Sequence, residues 1–120
     1  MNVTQLLGYQ VYVRAGDIFD IPAVAVIRLI DSDSRSLLLE FAPPVQVGAQ
    51  TYKFAVAHPR LAGDSLAILL SKGILGSAVT CVPNGRYDPT KPFDLSWWRG
   101  GAAVIADLSL IPNPKPPNGR

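Results

Sequence analysis

The chain is poor in the residues that announce a chemistry. Its 120 residues include one cysteine, Cys81, and one histidine, His58. A lone cysteine excludes an intrachain disulfide, and small secreted domains commonly rely on several, so a cytoplasmic location is expected. One histidine and one cysteine cannot close a zinc site within one chain. No metal and no cofactor are expected. Charged residues make up only 17% of the chain and the net charge is +2. The basic side chains of Arg14, Arg28, Arg35, Lys53, Arg60 and Lys72 are spread along the sequence, as are those that follow, and no two are adjacent. Phosphate binding needs several positive charges on one face, so nucleic acid is not an expected partner. Long apolar runs are missing too. The densest, Ile21 to Ile30, contains Pro22 and Arg28 and is too short to span a bilayer, so no membrane partner is expected. Met1 to Gln5 lack the charged start and apolar run of a signal peptide.

The familiar catalytic spacings are absent as well: there is no GxSxG elbow, no HExxH and no CxxC. Gly73-Ile74-Leu75-Gly76-Ser77 has two glycines but leads into a strand, not into a helix N-terminus that could cradle phosphate. Asp31 and Asp33 open like a calcium loop, but Arg35 stands where a ligand belongs and no glycine follows. A solvated turn is the better reading. Glu40 and Asp107 each interrupt an apolar strand and are expected on its solvent face.

Apolar residues are plentiful, at 48%, and 11 prolines and 10 glycines cut them into short runs. That combination argues against disorder and for strands joined by turns. Tyr9 to Arg14 alternates with one polar face. Ala23 to Ile30 is apolar almost throughout, which predicts cover on both faces. Asp31 to Ser34 is a turn of residues that bond their own backbone, and Ser36 to Phe41 returns from it as the second arm of a hairpin. Pro43-Pro44 should interrupt the ladder. Thr51 to His58 alternates again, with Tyr52, Phe54, Val56 and His58 on one face. Asp64 to Lys72 predicts the one helix, with Asp64 as cap, Leu66, Leu69 and Leu70 as the apolar stripe, and Gly73 as the left-handed stop. Ser77 to Val82, Asp94 to Arg99 and Ala102 to Ile111 predict three more strands, with Arg86 to Phe93 as an ordered loop.

These elements predict a mainly β (α+β) fold: a small antiparallel barrel or a curled sheet of six to seven strands, with one short helix. The domain is expected to span residues 1–111, followed by an extended proline-rich tail over 112–120. Size and composition are those of a small stand-alone bacterial protein, and no motif identifies a family.

Five residues stand out as candidates for binding. Trp97 and Trp98 are adjacent, so on a strand they point to opposite faces and one sheet face cannot bury both. With Arg99 and Tyr87 they are the residue types found most often at interface hot spots. The structural alternative places one tryptophan in the core and the other beneath the Arg86–Phe93 loop. His58, at a strand end before Pro59, is the fifth. A nucleophilic pair of Cys81 and His58 is conceivable, but Cys81 lies between Thr80 and Val82 in an apolar strand, where it reads as core. The favoured function is a non-enzymatic binding module for a protein or small ligand that forms a homo-oligomer, because low charge and abundant apolar surface suit a second copy. The alternatives are a small enzyme with a pocket at the barrel mouth using His58, and a weak binder of single-stranded nucleic acid.

Overall fold

A computed structural model describes residues 3–14, 23–31, 33, 35–47, 49–61, 63, 65–83 and 102–111. Six strands run β1 (Gln10–Arg14), β2 (Ala23–Asp31), β3 (Ser36–Val47), β4 (Gln50–Pro59), β5 (Ile74–Pro83) and β6 (Ala102–Leu110). Each pairs antiparallel with the next, and β6 pairs with β1 to close the barrel. In the closing seam Val11 lies opposite Leu110 and Val13 opposite Leu108. Closure removes the unpaired edges that an open sheet would present. The expected strand at Asp94 to Arg99, the Arg86–Phe93 loop and the tail over 112–120 lie outside the described residues.

Side-chain alternation assigns the two faces. Val11 and Val13 of β1, Ala25 and Ile27 of β2, Leu37, Leu39 and Phe41 of β3, Ala55 and Ala57 of β4, Leu75, Val79 and Cys81 of β5, and Ala106 and Leu108 of β6 all meet inside. A six-strand barrel is narrow, and these side chains fill it as a packed core. Ser77 also points inward and is fully buried, and its hydroxyl donates to the Leu75 carbonyl at 3.3 Å.

One end of the barrel is sealed by short helical pieces. A 3-10 turn over Val3–Leu6 precedes β1 and buries Leu6 completely. The connection from β4 to β5 carries helix α1 (Ala67–Lys72), which packs on β5, β6 and the 3-10 turn. Leu66 and Leu69 bury against the core, as the apolar stripe predicts. Gly73 takes φ 75°, and its amide donates to the Leu69 carbonyl, which terminates the helix. The helix is shorter than the sequence suggests. Its first flanking residue is Leu66, with no side-chain cap, and Asp64 lies outside the described residues.

Three expectations need correction. The strand after Phe41 does not end at Pro43-Pro44. The ladder jumps from Glu40–Phe54 to Val45–Tyr52, so residues 41–44 bulge against Lys53 alone and the strand then resumes. The prolines sit where no ladder hydrogen bond is required. The same irregularity breaks the alternation of β4: Tyr52 turns into the core while Phe54, Val56 and His58 face outward. Finally, β2 is not covered on both faces. Arg28 and Leu29 are exposed beside a bulge between Ile27 and Leu29.

The turn between β2 and β3 behaves as a solvated turn. The amide of Asp33 donates to Asp31 Oδ1 at 3.1 Å. Arg35, which stands where a calcium ligand would belong, takes the left-handed conformation, φ 55°.

Candidate functional site

Among the described residues the barrel's interior is filled by side chains, and the ion pairs lie on its outer surface. It divides into two regions of different character.

Over part of β3 and β4 the outer face is closed. Leu38 and Val56 are cross-strand partners whose sequence neighbours point inward, so both point out of the barrel, yet they are 3% and 1% exposed. Ser36, next on the same face of β3, is also buried. His58 follows Val56 on this face and is half-buried, with Nδ1 withdrawn from solvent. Toward the other end of the strands Glu40 accepts a hydrogen bond from Arg28 Nε at 2.7 Å and lies 3.7 Å from Lys53 Nζ. Lys53 also sits over the Phe54 ring, 5.8 Å from its centre. Glu40 thus occupies the solvent face, as expected, and binds two cations on neighbouring strands.

Over β5 and β6 the outer face is open. Ile74 is 54% exposed and Ile105 is 60% exposed, and Leu61, just beyond β4, is 66% exposed. Between them lie small residues: Gly76 and Ala78 on β5, opposite Asp107 and Ile105 on β6. The Arg60 guanidinium crosses Gly76 from the β4 side and reaches Asp107 Oδ1 at 3.4 Å. A methyl group on Gly76 would come within 2.6 Å of Arg60 Nη2. The missing side chain is what lets the arginine lie flat across β5.

Cys81 and His58 are not brought together. Cys81 points into the barrel and pairs across strands with Ala55, whereas His58 pairs with Ala78 and points out. Burial pushes the Cys81 thiol up to about 11, because the apolar core penalises the thiolate. A thiol held protonated in a core is a packing residue and not a nucleophile.

Tyr87, Trp97, Trp98 and Arg99 lie outside the described residues, in the segment that joins Pro83 to Ala102. Pro83 ends β5 at the end of the barrel opposite α1, where β1 and β3 also end. His58 stands five residues of ladder away, roughly 16 Å along the strands from Pro83. Sequence reasoning missed the Arg60–Gly76–Asp107 arrangement. Arg60 and Asp107 lie far apart in the chain, and only the strand register brings them to one place. Among the described residues no three His, Cys, Asp or Glu side chains cluster as metal ligands, and no helix is long and apolar enough to cross a membrane.

The fold defines a class: a closed six-strand antiparallel meander barrel whose described interior is packed. Comparison with protein-family models, with curated proteins and with solved structures returned no match.

Proposed function

We propose that the protein is a non-enzymatic binding module that recognises its partners on the outside of the barrel and associates with a second copy of itself. The observation that carries this reading is the contrast between the two sides of the sheet. The interior is packed with aliphatic side chains, while Leu61, Ile74 and Ile105 stand exposed around an ion pair on the outside. Binding pockets are usually concave and preformed, and among the described residues the interior of this barrel is filled by side chains. Exposed isoleucines grouped on one face instead suit a protein surface. Trp97, Trp98, Arg99 and Tyr87 remain candidates for contact with a further partner, since their residue types are those of interface anchors.

Sedimentation equilibrium from low to high micromolar protein tests the self-association. A mass that rises toward twice 12.9 kDa with concentration is expected. A strict monomer throughout that range contradicts it.

A further inference from the structure

On the convex outside of a narrow barrel neighbouring side chains splay apart, so an outward valine or leucine with nothing over it keeps part of its surface in water. Val56 and Leu38 do not. They oppose each other across β3 and β4, are not part of the barrel core, and are 1% and 3% exposed. Exposure rises to either side. Leu29, opposite Leu38 on β2, is 37% exposed, and Thr80, opposite Val56 on β5, is half-buried. Phe54 and His58 flank Val56 on the same face of β4, and each holds a polar or ring contact besides those named above. A layer therefore lies over the middle of this face. The described elements do not supply it. Helix α1 packs on β5, β6 and the 3-10 turn, and the chain leaving β4 turns over β5 with Arg60.

We infer that the cover is the connection from β5 to β6, residues 84–101, seated across Val56 and Leu38 of its own chain. The longer stretches outside the described residues are 15–22, 84–101 and 112–120. The first joins Arg14 to Ala23, and Leu29, the β2 neighbour of Leu38, lies about 20 Å farther along that strand. A loop of that length, which must go out and return, reaches roughly 13 Å. The tail starts beside β1, where the Ile111 amide donates to the Gln10 carbonyl. It holds no aromatic and no long aliphatic side chain with which to exclude water.

Residues 84–101 meet both demands. They leave β5 at Pro83, opposite Tyr52, and return at Ala102, opposite Cys81. Val56 lies one strand over and about 10 Å back along the ladder. Half the segment, extended, reaches roughly 30 Å. It carries Phe93, Leu95, Trp97 and Trp98, the large apolar side chains that a dry cover needs. The face over β3 and β4 is then an interface within the chain, closed to partners. Of the adjacent Trp97 and Trp98, one seats on Val56 and Leu38 and anchors the segment, and the other is left for the partner contact proposed above. That last step alone rests on the proposed binding function.

Nuclear Overhauser contacts in the full chain test the seating. The Val56 and Leu38 methyl protons should show contacts to side chains of residues 84–101, with a tryptophan indole among them. Contacts to protons of residues 112–120 in their place, or none to residues 84–101, overturn the inference. Val56→Lys, shown by circular dichroism to keep the barrel, should unseat the indole and shift tryptophan emission to the red. Unchanged emission in that folded variant also overturns it. Both readouts hold in a strict monomer, so this inference and the proposed self-association fail independently.

Discussion

The guanidinium of Arg60 lies across Gly76, in the space a β-carbon would fill, and meets Asp107 at 3.4 Å on the far strand. Three strands are thereby tied together by a side chain that needs the absence of another. Both charged groups are about half exposed, so the pair contributes little to stability. A double-mutant cycle of Arg60→Ala and Asp107→Ala in dilute, monomeric protein should give a coupling of about 0.2–1 kcal/mol that shrinks with added salt. Gly76→Ala should displace the flexible end of Arg60 and change stability by less than about 0.5 kcal/mol, because the strand gains from the methyl what the pair loses. Chemical denaturation of the wild type and the four variants checks both.

Gly73 makes a different demand. Nothing lies within 4 Å of a β-carbon placed there, so space is not the constraint; φ 75° is. Gly73→Ala should cost about 1–2 kcal/mol in denaturant midpoints, and Gly73→Asn less, since asparagine tolerates the left-handed region.

The barrel interior should be far less forgiving than its surface. Phe41→Ala, at a position 1% exposed, should cost about 3–5 kcal/mol, and Leu69→Ala, which opens the sealed end, about 2–5 kcal/mol. Leu61→Ala, at a position 66% exposed, should fall within about 0.5 kcal/mol of wild type. Equal losses at Leu61 and Leu69 would contradict the assignment of inside and outside.

Cys81 gives a pH dependence with a defined sign. Its thiol titrates near 11 when folded, against 9.0 when free. The folded state therefore holds the proton more tightly, and the contribution is fully present below pH 9. Between pH 9 and 11 the unfolded chain ionises first and stability falls. The total loss is roughly 2–3 kcal/mol, as two units of displacement imply. Cys81→Ala should remove this part of the decline while lowering stability at neutral pH. The native thiol should also react with an aromatic disulfide at pH 8 far more slowly than the unfolded one.

Much of the fold was legible because alternation is a local signal. β1, the β2–β3 hairpin, the stretch Thr51 to His58 as a strand and the glycine stop after α1 follow from residues close in sequence. What depends on non-local pairing is not legible in the sequence. Tyr52 and Phe54 look like members of one face, and only the bulge opposite Pro43-Pro44 turns Tyr52 inward. The start of β5 at Ile74, three residues before Ser77, reflects pairing with β6 as far as Ser109 and not any propensity of Gly76. The Arg60–Asp107 pairing was invisible for the same reason. Arg60, Gly76 and Asp107 belong to three separate stretches of sequence, and none is unusual on its own. Cys81 is legible as core, because a cysteine flanked by threonine and valine in an apolar strand has few other places to go.

The distinction between a packed interior and a recognising exterior is tested most directly by isoleucine methyl signals followed on dilution by NMR. Ile27 lies wholly inside the barrel, whereas Ile74 and Ile105 lie on the open face of β5 and β6. As the protein is diluted from high to low micromolar, the Ile74 and Ile105 methyl resonances should shift together along one binding curve while Ile27 stays fixed. Stationary Ile74 and Ile105 signals, or an Ile27 signal that moves with them, would contradict recognition through the outer face of a filled barrel.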